Sequence, residues 1–189
     1  MYEHLVYDGE VHNSILKFPE LFKHSFVCFS FGKLYHCTGW KVGYCIAPAR
    51  LMLEYKKVHQ YNAFSTNTPA QYGLANFLTK KDKYLSLSGF FQEKRDYFLK
   101  LLSETRFKPN HPKGSYFICC SYDAYSYQSD IAFVFDLIKN TGVAAIPLSS
   151  FYANNEDQGI IRFCFAKKIE TLETGVERLL KLNSGTHFR

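Results

Sequence analysis

A chain of 189 residues can form one large or two small domains and bury a sizeable core. Hydrophobic residues at 47% and charged residues at 21% exclude a disordered chain, and no apolar run is long enough to span a membrane. The net charge of +6 is spread over pairs such as Lys56-Lys57, Lys80-Lys81 and Lys167-Lys168 without a basic stripe, so no nucleic-acid partner is expected.

In chain order, residues 26–30 read as a buried strand that feeds a glycine-punctuated loop, and residues 42–47 as a second strand stopped by Pro48. Residues 49–60 read as a helix with Leu51, Met52, Tyr55 and Val58 on its apolar face. Another helix starts at Asn67-Thr68-Pro69, with Thr68 suited to the N-cap, Pro69 to the first helical position, and Ala70, Leu74, Phe77 and Leu78 inward. Residues 82–104 read as one long helix with Leu87, Phe91, Phe98 and Leu102 on one side. A strand is expected over 114–120, then a helix capped by Ser129 or Asp130. Its face is Ile131, Val134, Phe135 and Ile138, and Gly142 closes it. Strands over 143–147 and 160–165 follow. A last amphipathic helix through Leu172, Val176, Leu179 and Leu180 precedes a loose tail from Asn183. Strands and helices interleaved in this way predict an α/β sandwich.

The six cysteines (Cys28, Cys37, Cys45, Cys119, Cys120, Cys164) fall mostly in apolar, strand-like runs without Cys-x-x-Cys spacing. They read as reduced core thiols of a cytoplasmic protein, and the opening residues show no signal-peptide pattern. His4, His24, His36 and His59 lack metal-ligand spacing, so no metal site is expected.

The loop between the first two strands concentrates the chemistry: Ser30-Phe31-Gly32-Lys33-Leu34-Tyr35-His36-Cys37-Thr38-Gly39-Trp40-Lys41-Val42-Gly43-Tyr44. A pyridoxal phosphate site needs an amine for the aldehyde, and a hydroxyl and a separate cation for the phosphate. Lys33, Ser30 and Lys41 are residues of those types. By spacing alone, solvated surface lysines remain the commoner alternative.

The run Ser-Phe-Gly-Lys followed by Thr-Gly-Trp-Lys-Val-Gly-Tyr resembles the lysine region of fold-type I, class I/II aminotransferases, in particular the methionine and kynurenine/glutamine aminotransferase branch. The resemblance implies an α/β fold of the PLP-dependent transferase (fold-type I) type. Residues 1–81 would be the C-terminal part of the large cofactor domain, and residues 82–189 the small C-terminal domain. Lys33 would be the Schiff-base lysine and proton shuttle, and Ser30 and Lys41 the phosphate ligands. Many relatives carry arginine where this chain has Lys41, which keeps the charge but lacks the two-pronged fork. Tyr2-Glu3-His4-Leu5-Val6-Tyr7 is similar to the family segment Asp-Glu-x-Tyr-Glu, which places Tyr2 on the cofactor's phenolic oxygen. The aspartate for the pyridine nitrogen would precede Met1, so the chain is expected to be the C-terminal half of such an enzyme.

Arg162 stands in an apolar strand, where a guanidinium is costly unless a carboxylate pairs with it. That carboxylate is either a neighbouring Asp or Glu or a substrate held through two parallel hydrogen bonds. Ile-Arg-Phe-Cys-Phe-Ala-Lys resembles the family strand whose arginine clamps the amino acid's α-carboxylate, which favours the second. Gly114-Ser115-Tyr116-Phe117 resembles an element near the substrate entrance. Phe64 reads by itself as a core aromatic between two helices. The resemblance instead implies that it reaches across a dimer to line the partner's substrate pocket. Tyr35 and His36 are further candidates for lining the site. The expected function is transamination of methionine or an aromatic amino acid with a 2-oxo acid, in a homodimer carrying pyridoxal 5'-phosphate. A cysteine-conjugate β-lyase and an inactive truncated fragment are the alternatives.

Overall fold

A computed structural model describes residues 2–126 and 128–184, and the chain divides into two compact units, Met1–Ser88 and Gly89–Arg189. The first unit opens on a segment of two turns whose Leu5 and Tyr7 are buried. The Leu5 N–H donates to the Tyr2 carbonyl at 2.9 Å, and the Ser88 hydroxyl donates to the carbonyl of Val6. A short helix, α1 (Pro19–Phe22), starts on proline, whose fixed φ suits the first helical position. Strand β1 (Val27–Ser30) leads into α2 (Phe31–Leu34), and β2 (Gly43–Ile46) returns antiparallel to β1, with Val27 opposite Ile46 and Ser30 opposite Gly43. The first strand, expected to be buried, is only partly covered, and Phe26 before it and Tyr44 and Ile46 of β2 are exposed. Among the described residues the two strands form a two-stranded ribbon, which alone cannot bury apolar side chains on both faces.

Helix α3 (Ala49–Asn62) follows the predicted course, yet it buries no residue, and Tyr55 and Val58 of its expected inner face are exposed. Helix α4 (Thr68–Leu78) begins one residue away from expectation. Asn67 is the cap, its side-chain oxygen accepting from the Ala70 N–H at 2.9 Å, so Thr68 becomes the first helical residue. The long helix expected over 82–104 is two, α5 (Asp82–Leu85) and α6 (Leu87–Leu102). Between them the Ser86 hydroxyl donates to the Asp82 carbonyl at 2.7 Å, a back-bond that competes with the helical ladder. The two compact units meet inside the first turn of α6.

In the second unit, α6 turns Phe91, Phe98 and Leu102 inward together with Arg95, which is 1% exposed. Arg95 ion-pairs with Asp96 at 2.7 Å and donates to the Pro112 carbonyl at 2.9 Å, so the buried charge is matched. Strands β3 (Lys108–Pro109), β4 (Phe117–Ser121), β5 (Ile146–Pro147) and β6 (Ile160–Cys164) form an antiparallel sheet in the order β3-β4-β6-β5. Alternation along the strands buries Ile118, Cys120, Ile161 and Phe163, and the Phe163 ring meets Phe98 and Phe107 edge-on. Helices α7 (Asp130–Thr141) and α8 (Ile169–Leu180) complete the unit, α8 burying Leu172, Val176 and Leu179. The strand expected over 143–147 shortens to the two residues of β5, at the sheet edge where Pro147 is tolerated. A 3-10 turn at Lys181–Ser184 ends the described chain, and the rest of the expected loose tail lies outside the described residues.

The face of α7 differs from expectation. Asp130, Phe133, Val134 and Leu137 are buried, whereas Ile131, Phe135 and Ile138 are exposed. This helix is apolar nearly all round, so periodicity offers two stripes, and a polar contact decides between them. Asp130, 1% exposed, accepts from the Ser149 N–H at 2.8 Å and the Ser149 hydroxyl at 2.7 Å, which fixes the helix rotation. The predicted ends hold: Ser129 caps the Ala132 N–H, and Gly142 closes the helix at φ +71°, in the left-handed region. Of the six cysteines only Cys120 is buried, contrary to a uniform set of core thiols. Among the described residues no helix is long and apolar enough to cross a membrane.

Two stability predictions follow from this packing. Asp130→Ala leaves the Ser149 donors buried and unpaired and should cost about 2–4 kcal/mol in urea unfolding, whereas Phe135→Ser should change stability by under about 0.5 kcal/mol. Burial pushes the Cys120 thiol up to about 12, so its protonated form favours the fold. That contribution is complete below the unfolded value of about 8.5 and is lost as pH rises towards 12, at up to about 1.4 kcal/mol per pH unit. Cys120→Ala should flatten the alkaline fall in unfolding free energy by one proton, leaving the share of Tyr122, whose hydroxyl burial also pushes up.

Candidate active site

Strand β1 delivers Ser30 in extended conformation to the start of α2, where its hydroxyl oxygen accepts from the Gly32 N–H at 3.2 Å. Lys33 follows within the same turn and is exposed. The loop folds back on itself: the Cys37 N–H donates to the Gly32 carbonyl at 3.1 Å, and the Phe31 N–H donates to the Val42 carbonyl at 3.2 Å. Lys41, at the far end, sits at φ +54°, a conformation rare for a side-chain-bearing residue, and is exposed. Two glycines permit this geometry. A Cβ on Gly32 would lie 3.2 Å from the Thr38 Cα, and one on Gly43 would lie 2.3 Å from the Phe29 carbonyl oxygen. Among the described residues neither Lys33 nor Lys41 has a carboxylate within ion-pair distance.

Aromatic rings line this loop. Phe29 stacks on Tyr44 at 4.7 Å, Phe31 lies against both Tyr35 and Tyr44, and Tyr35 meets Phe77 and Tyr84 edge-on. The opening segment joins the cluster, with the His4 ring 5.3 Å from Tyr84. Burial, aided by the Glu3 charge, pushes the Tyr35 hydroxyl up to about 12 and raises Tyr44 as well. The segment that carries Tyr2 is thereby gathered to the unit that holds Ser30, Lys33 and Lys41. Phe64 lies beyond α3 at φ +56° and is 79% exposed, which overturns its reading as a core aromatic.

Arg162 belongs to the second unit, in mid-β6, opposite Cys119 on one side and Ile146 on the other. Its guanidinium lies 4.1 Å from the Phe117 ring centre and 4.9 Å from that of Phe151. Among the described residues no carboxylate pairs with it, and its buried Nε lacks a hydrogen-bond partner. A cavity of about 660 Å³ opens beside it, with Lys167 and Arg178 against the single acid Glu170, and with Ala145 and Leu172 on its apolar wall. Among the described residues, the internal salt bridge that was the alternative for Arg162 does not form. Phe117 was legible from strand alternation, being on the same face as Cys119 and Arg162. Phe151 arrives through the 3-10 turn Ser149–Phe151, which no sequence pattern announced.

The chain is 45% identical to the methionine aminotransferase of Escherichia coli over 183 residues, covering 96% of this chain and 47% of that protein. It is 32% identical to human kynurenine–oxoglutarate transaminase 1 over 203 residues, covering 96% of this chain and 48% of that protein. The crystal structure of the E. coli methionine aminotransferase YbdL superposes with a TM-score of 0.89 at 46% identity, covering 95% of this chain and 48% of that one. The chain thus spans about half the length of the curated relatives it matches. The pattern of aminotransferase class I and II matches residues 1–179, nearly the whole chain, and the chain belongs to that family.

Proposed function

We propose that this chain carries the lysine loop and the carboxylate clamp of a pyridoxal-phosphate-dependent transaminase, acting on methionine or an aromatic amino acid and a 2-oxo acid. The observation that carries the proposal is the gathering of Ser30, Lys33 and Lys41 on one loop, with both cations free of acidic partners among the described residues. The names of the E. coli and human relatives support the substrate class. The first unit would be the C-terminal part of the cofactor domain, and the second the small domain.

The donor set suits the cofactor. The Ser30 oxygen accepts from Gly32, which leaves its own O–H to donate to a phosphate oxygen, and Lys41 contributes the charge. Lys33 Nζ would be the amine that holds the cofactor's aldehyde, and as a free amine it would act as the base that moves the proton of the substrate Cα. Bound pyridoxal phosphate supplies the electron sink that makes this proton removable. Tyr2 would help to hold the cofactor through its hydroxyl. Arg162 takes the substrate carboxylate through its fork, which would give the buried Nε its missing acceptor, while the rings of Phe117 and Phe151 hold the guanidinium plane. The exposure of Phe64 suits a residue that lines the partner's pocket in a homodimer.

Titrating the purified chain with pyridoxal phosphate should produce a visible absorbance band that disappears in Lys33→Ala and bleaches when methionine is added. A band of equal strength in Lys33→Ala would refute the assignment. Arg162→Gln should keep the band but weaken binding of a methionine-derived 2-oxo acid about 100-fold, roughly 3 kcal/mol. Unchanged affinity would remove Arg162 from the site.

A further inference from the structure

Cys28 and Cys45 face each other across the β1–β2 ladder. The Phe31 N–H to Val42 carbonyl bond marks a hydrogen-bonded pair in this register, so Phe29–Tyr44 is the next such pair and Cys28–Cys45 falls at a non-hydrogen-bonded position. Opposing Cα atoms there are about 4.5 Å apart, inside the range of about 4.4–6.8 Å that a disulfide spans. Cys28 is exposed and Cys45 half-buried. Burial first, and then the adjoining Cys28 thiol, push the Cys45 thiol up.

No other pair of cysteines is so placed. Cys120 is buried, and Cys37 donates to the Phe31 carbonyl at 3.3 Å. Cys119 lies opposite Arg162 and Cys164 opposite Phe117, so these two are diagonal neighbours, about 7–8 Å apart.

We infer that Cys28 and Cys45 form a reversible disulfide that staples the base of the loop carrying Ser30, Lys33 and Lys41. The oxidant is a small-molecule disulfide. The Cys28 thiolate attacks one of its sulfurs, forming a mixed disulfide and expelling one thiolate. Cys45 then loses its proton to solvent and attacks the Cys28 sulfur, expelling the second thiolate. Two protein thiols give up two electrons and two protons, and the small disulfide becomes two thiols. The exposed Cys28 starts the exchange, and the half-buried Cys45 opposite it resolves it once deprotonated. The inference does not depend on the cofactor reading.

The test treats the full chain with increasing oxidised glutathione, alkylates the remaining thiols, and maps peptides by mass. The expected result is a Cys28–Cys45 linked peptide with two fewer alkylated cysteines, reversed by reduction and absent in Cys28→Ser and Cys45→Ser. Amide hydrogen exchange in β1 and β2 should slow at least about tenfold on oxidation, as the two strands can no longer separate. If Cys28 and Cys45 stay as alkylatable as Cys119 and Cys164 throughout, or if the bridge maps to another pair, the inference is overturned.

Discussion

At Gly43 the two strands of the first unit approach so closely that a side-chain carbon would stand 2.3 Å from the Phe29 carbonyl oxygen. Any other residue would push β1 and β2 apart. This contact fixes the register in which Ser30 faces Gly43, and hence where β1 ends and α2 begins. Ser30 caps the short helix, Lys33 emerges from that turn, and the chain must come back through a left-handed Lys41 to rejoin β2. The positions of a hydroxyl and two cations therefore follow from one close backbone approach, aided by the tight fit of Gly32 against Thr38.

The second unit presents the opposite case, a side chain with one nitrogen left unmatched. The Arg162 guanidinium lies between two aromatic rings, and its buried Nε gives up hydration without a compensating hydrogen bond among the described residues. Buried charge among the described residues of the same unit is otherwise matched: Arg95 has Asp96 and the Pro112 carbonyl, and Asp130 has both donors of Ser149. Arg162 stands out against that rule. Its Nε is the nitrogen that no acceptor reaches among the described residues.

Much of this was legible in the sequence because local rules operate there. The loop motif, the Ser129 cap, the Gly142 stop and the core of α8 each depend on a few neighbouring residues. The failures came where a distant or competing contact decided. The buried face of α7 is selected by Ser149, far along the chain, and the break before α6 by the back-bond of Ser86 to Asp82. At α4 an asparagine cap outcompeted the threonine that follows it. Apolar runs in β1 and α3 promised a burial that the described residues do not provide. The Cys28–Cys45 pairing was hidden because register, not spacing, brings the two together.

The central claim is that the loop between β1 and β2 directs one particular amine to an aldehyde whose phosphate is held beside it. Borohydride reduction of the chain in the presence of pyridoxal phosphate, followed by peptide mapping, reads that selectivity directly, because it makes the bond between lysine and aldehyde carbon permanent. At stoichiometric cofactor the label should fall on Lys33, and excess inorganic phosphate should suppress it. Label spread evenly over exposed lysines such as Lys56, Lys80 and Lys81 would contradict the account.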